Sequence, residues 1–149
     1  MDIKDITKEQ LETLILIKSL EEFVTDEHEN LSSLSEVIWT LEESLSDGEH
    51  KQLVSDICKL TETGYILSDA TEEHIETDRI PEVEGITPEG QSVLNEWEKE
   101  IRGSIDKGGM DIHFHFSLFD GLTINPSLIN GSISLFGAIG NKAKEMLHI

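Results

Sequence analysis

Ser46-Asp47-Gly48-Glu49-His50-Lys51-Gln52-Leu53-Val54-Ser55-Asp56-Ile57-Cys58-Lys59-Leu60-Thr61-Glu62-Thr63-Gly64-Tyr65-Ile66 contains one complete helix with its start and stop signals. The Ser46 hydroxyl can accept from the free N–H of Glu49 while the Glu49 carboxylate reaches back to Ser46, a reciprocal capping box. Gly64 closes the helix. Leu53, Ile57 and Leu60 recur at i, i+4 and i+7, with Val54 and Cys58 beside them, so one stripe faces a core. Glu49, Lys51, Gln52, Ser55, Asp56, Lys59 and Glu62 are expected to face outward. Beyond Gly64 the chain changes to Tyr65-Ile66-Leu67, residues suited to a strand.

A helix that runs through a glycine cap straight into a strand is how the recognition helix of a winged helix-turn-helix meets its wing. Tyr65 to Ser68 is then the first wing strand and Val83 to Thr87 the second, joined by a polar excursion from Asp69 to Glu82. Thr87-Pro88-Glu89-Gly90 restarts a helix, with Thr87 as N-cap and Pro88 at the first helical position. On Leu60 to Ile66, the pair Asp78-Arg79, and Ile86-Thr87-Pro88-Glu89-Gly90, residues 7–107 resemble the winged-helix family of multiple-antibiotic-resistance regulator (MarR) type. The resemblance implies a wing that carries arginine into a DNA minor groove, and flanking helices that build a dimer. Here Arg79 is kept, whereas the next position is Ile80.

The expected fold class is α+β: a winged helix with a long post-wing helix over residues 1–107, then a small β-hairpin or meander unit over residues 108–149. At 149 residues the chain can bury its own core. Met1-Asp2-Ile3-Lys4-Asp5 lacks the order of an export signal, and no apolar run approaches the ~20 residues of a membrane span. Cys58 is the sole cysteine, which excludes an intramolecular disulfide and fits a small core residue. The expectation is a cytoplasmic protein with no membrane association.

Charge carries more information about function. The sequence has 31 acids against 11 bases, a net of −20. From Gly108 onward three acids (Asp111, Asp120, Glu145) face two bases (Lys142, Lys144), which leaves −19 on residues 1–107. Affinity for a phosphate backbone comes chiefly from Lys and Arg, so the resembled DNA-reading module carries the wrong sign. On its recognition helix only Lys51, Gln52, Ser55 and Lys59 suit bases or phosphates. In the wing, Asp69, Glu72, Glu73, Glu76, Asp78, Glu82 and Glu84 surround Arg79 alone.

Elsewhere in this module, Thr7 and Gln10 form a further capping box for a helix reaching about Phe23, whose Leu11, Leu14, Ile15, Leu16, Ile17, Leu20 and Phe23 mark it as central and buried. Asp26-Glu27-His28-Glu29-Asn30 reads as a solvated acidic loop. Ser33 and Glu36 box the next helix, with Leu34, Val37, Ile38, Leu41 and Leu45 as its stripe. Trp39 falls off that stripe; it either covers the first helix or anchors a partner. After the wing, Trp97, Ile101 and Ile105 repeat every four residues, a packing stripe and the best candidate for self-association.

The tail alternates. Ile112 to Leu118 reads as a strand, with turns at Asp120-Gly121 and Asn130-Gly131 and a closing helix from about Asn141 to Leu147. Strands this short need to pack on the winged helix, on a second copy or on another protein. Asp111, His113 and His115 share one strand face and are the arrangement nearest to a metal site, but strand alternation explains them equally and no further ligand set follows them. The expectation is no metal and no cofactor. Phosphate loop, nucleophile elbow and His-Glu-x-x-His are absent from the sequence, so no enzyme is expected.

Two functions fit. In the first, an acidic winged-helix scaffold works by protein contacts, occupying a basic DNA-binding surface or serving as an assembly subunit through Trp39, the wing acids Glu72, Glu73 and Glu76, and the Trp97, Ile101, Ile105 stripe. The alternative is a MarR-like transcriptional regulator contacting DNA through Lys51, Gln52, Ser55, Lys59 and Arg79. Charge favours the protein partner, with a homo-oligomer expected in either case.

Overall fold

Thr7 and Gln10 open the first helix as the sequence predicts: the Thr7 N–H donates to Gln10 Oε1 at 3.2 Å and the Gln10 N–H donates to Thr7 Oγ1 at 3.1 Å. The structure, a computed structural model, describes residues 6–26, 34–105, 110–111, 116, 123–124, 136–137 and 139–140. The first helix, α1, spans Lys8–Asp26. Leu14, Ile15, Leu16, Ile17 and Leu20 are all buried, which requires neighbours on every side. The second helix α2 (Leu34–Glu42), the third α3 (Asp47–Glu62), strand β2 (Val83–Ile86) and helix α5 (Pro88–Ile105) all pack on α1. Each fully buried Leu or Ile contributes roughly 1.5–3 kcal/mol relative to exposure, so α1 is the centre of the fold energetically as well as geometrically.

Both ends of α3 follow from its punctuation. The Glu49 N–H donates to Ser46 Oγ at 3.2 Å and the Ser46 N–H donates to Glu49 Oε1 at 3.1 Å. At the far end Gly64 sits at φ +87, the Tyr65 N–H donates to the Leu60 carbonyl at 2.9 Å and the Gly64 N–H to that of Thr61 at 3.1 Å. This left-handed ending satisfies carbonyls the helix would otherwise leave open and turns the chain into β1 (Ile66–Ser68).

β1 pairs antiparallel with β2, Ile66 with Ile86 and Leu67 with Gly85, and an irregularity then brings Ser68 opposite Val83. The strand limits are narrower than the sequence implies by one residue at the start of β1 and one at the end of β2. On the far side of Val83, Ser35 of α2 takes the place of a third strand: its hydroxyl donates to the Val83 carbonyl at 3.0 Å and accepts the Val83 N–H at 2.9 Å.

The segment between the strands departs from the expected polar excursion. It holds a short helix, α4 (Glu72–Thr77), packed on α3. Thr71 is its extended N-cap, and the Thr71 N–H donates to Nδ1 of His74 at 3.1 Å, so a buried histidine fills the role a Glu or Gln usually has in a capping box. Glu72 and Glu73 in the first turn suit the positive end of the helix dipole. Asp78 ends α4 in the left-handed region at φ 51.

The core extends past α5. Trp97 and Ile101 are only 7 % and 8 % exposed, and the Trp97 ring lies 5.7 Å from that of Phe136 at a 40° tilt. Phe116 and Ile139 are buried in the same cluster, so the described tail residues pack on the helical module, one of the three possibilities the sequence leaves. Strands β3 (Met110–Asp111) and β4 (Thr123–Ile124) pair antiparallel. Apart from Phe116, the expected strand at 112–118, both Gly turns, the Ser33 cap, the loop at 27–30 and the closing helix at 141–147 lie outside the described residues. The class is α+β, mainly helical with two-stranded antiparallel pairing.

Candidate functional site

α3 presents one face to the core and the other to α4. Leu53, Val54, Ile57 and Leu60 are buried, as the stripe predicts. Asp56 is not on the outer face, as the sequence suggested: it is 1 % exposed, accepting from the Thr13 hydroxyl at 2.6 Å and from the Gln52 side-chain amide at 2.8 Å. An ionised carboxylate is costly to bury unless donors surround it, and here they come from α1 and from the preceding turn of α3. Gln52 is therefore engaged with Asp56 and is half-buried, which takes its amide away from a base-reading role.

Of the remaining outward residues of α3, Lys51, Ser55, Lys59 and Glu62 are exposed and Glu49 is half-buried. Lys51 and Ser55 line a groove of about 630 Å³ whose opposite wall is Ile75, Glu76 and Asp78. Lys59 lies 3.8 Å from Glu62, and Arg79 is exposed just beyond α4. Hence four of the five residues that suit nucleic acid are accessible, yet Lys51 and Ser55 face the acidic end of α4 across the groove. Glu72, Glu73 and Glu76 are themselves exposed, with Ile75 among them 53 % exposed.

Trp39 is 47 % exposed on α2, so it does not serve as a full cover for α1. Trp97 and Ile101, by contrast, are inside. Packed on Phe136 and in the core cluster, these two side chains leave little surface of their own for a dimer seam. The Ile105 side chain lies outside the described residues, as do His113 and His115; Asp111 is described only as part of β3. Among the described residues there is no group of three or more His, Cys, Asp or Glu placed to hold a metal ion, and no helix long and apolar enough to cross a membrane.

A further polar cluster here has no signature within any one element of the sequence. His50, in the first turns of α3, points Nε2 at Glu42 Oε1 (2.9 Å) and Nδ1 at Asp78 Oδ1 (3.1 Å), tying the end of α2 and the end of α4 to the start of α3. Burial pulls this ring toward neutrality, but the hydrogen bonds and negative charges of Glu42 and Asp78 outweigh it and lift its pKa above the usual 6.5. No spacing rule connects the three residues, because each comes from a different element. Cys58 is half-buried with its Sγ 3.8 Å from the Thr71 carbonyl, and burial pushes its thiol pKa up. A thiol held protonated in this way is a packing group and a poor nucleophile.

The helical core with its paired strands thus defines an α+β protein with an acidic surface built on α3 and α4. No family model, curated protein or solved structure matches the chain.

Proposed function

We propose that this chain is a non-enzymatic, cytoplasmic winged-helix protein of MarR-like fold that acts through protein contacts, its acidic α4 face docking on a basic surface such as one that otherwise binds DNA. The order α3, Gly64, β1, β2, α5 supports the winged-helix reading. The observation that carries the functional reading is the position of α4. It lies against the outer side of α3 and sets Glu76 and Asp78 across a groove from Lys51 and Ser55, where a DNA-reading helix would need a clear, positive approach. Exposed Ile75 supplies an apolar contact inside the acidic field.

Two measurements test this reading. Labelled random duplex should show no mobility shift with the protein at low or moderate salt. A face that neutralises roughly six to ten phosphates gains several decades of affinity on salt dilution, so a steep salt-dependent shift would overturn the proposal and assign DNA contacts to Lys51, Ser55, Lys59 and Arg79, with Gln52 leaving Asp56 to join them. Second, replacing Glu72, Glu73 and Glu76 by Gln should slow association with a partner recovered with the native chain by about tenfold or more, because charge steering acts on the encounter rate. The melting temperature should stay level or rise as self-repulsion falls. An unchanged on-rate would reduce the α4 acids to a solubilising surface.

A further inference from the structure

A neutral imidazole has one N–H and one lone pair; an imidazolium has two N–H donors. Both ring nitrogens of His50 lie within hydrogen-bond distance of carboxylate oxygens, which have only lone pairs to offer. The geometry is therefore satisfied in full only by the protonated ring. In the neutral ring one nitrogen lone pair would point at a carboxylate, whichever tautomer forms.

We propose that His50 is a proton-operated latch: as an imidazolium it clamps the Asp78 end of α4 and the Glu42 end of α2 to α3, and on losing its proton it frees the Asp78 end and opens the groove between α3 and α4. α4 is the partner that yields. α2 is held independently by Leu34, Val37, Ile38 and Leu41 in the core, whereas all six residues of α4 except His74 are exposed. Asp78 itself occupies a left-handed conformation at φ 51, a mildly unfavourable state for a residue with a Cβ, which the contact to His50 helps to hold.

The charged neighbours of the latch set its sign. Glu42 from α2 and Asp78 from α4 touch the ring and favour the proton. The other charged groups around it are Asp47, three residues earlier on α3, and Lys51 and Glu76, which line the groove with Asp78. At the other end of α4, Nδ1 of His74 accepts the Thr71 N–H. Since folding strengthens proton binding by His50, its stabilising contribution is complete below pH 6.5 and is lost as pH rises through the higher value of the folded protein.

The test is a pH titration of the full chain by NMR, reading the histidine ring resonances and the amide-exchange protection factors of residues 74–79 together. The His50 ring should titrate above pH 6.5, and protection at the end of α4 should fall through the same midpoint by roughly tenfold, the change expected for one lost charged hydrogen bond. Asp78→Asn keeps a side chain that tolerates the left-handed backbone and should lower the His50 midpoint. In His50→Gln the fall in protection at the Asp78 end of α4 with rising pH should disappear. A His50 midpoint at or below 6.5 in the native chain, a midpoint unmoved by Asp78→Asn, or a fall in protection at the Asp78 end with rising pH that persists in His50→Gln would each overturn the latch. The native titration decides the matter even if a variant fails to fold.

Discussion

Gly90→Ala is expected to destabilise the protein by roughly 3 kcal/mol or more and to lower its melting temperature by about 10 °C. A Cβ at this position runs into the Tyr65 carbonyl oxygen and comes within 2.9 Å of Ile86 Cγ2. Neither obstacle can move cheaply. The Tyr65 carbonyl accepts the Thr87 N–H at 3.1 Å, and Thr87 in turn donates its hydroxyl to the Gly64 carbonyl at 2.6 Å and accepts the Gly90 N–H at 3.1 Å. The added methyl therefore strikes the joint at which the end of α3, the strand pair and the start of α5 are fastened together. Gly48→Ala is the matched control: its Cβ meets nothing within 4 Å inside α3, and the substitution should stabilise by roughly 0.5–1 kcal/mol through lower chain entropy. Thermal unfolding followed by circular dichroism reads both. A Gly90→Ala protein that melts with the native one would mean that the start of α5 is not held against Tyr65.

The second large effect is expected from Thr13→Val, a near-isosteric change that should cost about 2 kcal/mol. The Thr13 hydroxyl donates to Asp56 Oδ2 at 2.6 Å, closer than the Gln52 amide at 2.8 Å. Removing it leaves a buried acceptor short of a donor without creating a cavity, so the loss comes from polar desolvation and not from packing. Thr13→Ser restores the hydroxyl and should recover most of the stability. Urea unfolding of both variants at neutral pH provides the comparison. Equal stability of Thr13→Val and the native chain would show that Asp56 does not depend on α1.

What the sequence made legible was local. The capping boxes at Thr7/Gln10 and Ser46/Glu49 and the glycine stop at Gly64 each depend on residues within a turn of one another, and each forms as read. Periodicity likewise placed Leu53, Ile57 and Leu60 inside. Features that depend on distant parts of the chain were not legible. Asp56 lies beside the apolar stripe of α3, where polarity alone assigns it to solvent; the approach of Thr13 from α1, which no pattern within α3 reveals, is among the contacts that make its burial tolerable. α4 was missed because its capping box uses His74 where the usual signal is Glu or Gln. The spacing of Trp97 and Ile101 marks a packing stripe, but the ring that meets Trp97, Phe136, lies in a segment whose docking no pattern within α5 could reveal. The His50 contacts with Glu42 and Asp78 belong to the same class, visible only once three elements have been assembled.

The clasp between Ser35 and Val83 has a consequence for behaviour in concentrated solution. A two-stranded ribbon has two rims, and a rim with idle amide and carbonyl groups is a template on which a foreign strand can crystallise. Ser35 occupies both groups of Val83 with a single hydroxyl, and Leu34 and Val37 of the same helix sit in the core beside it. That side of the ribbon is sealed by a helix, a covering that cannot itself propagate a sheet. One serine thus denies neighbouring molecules a place to add on along this side of the ribbon.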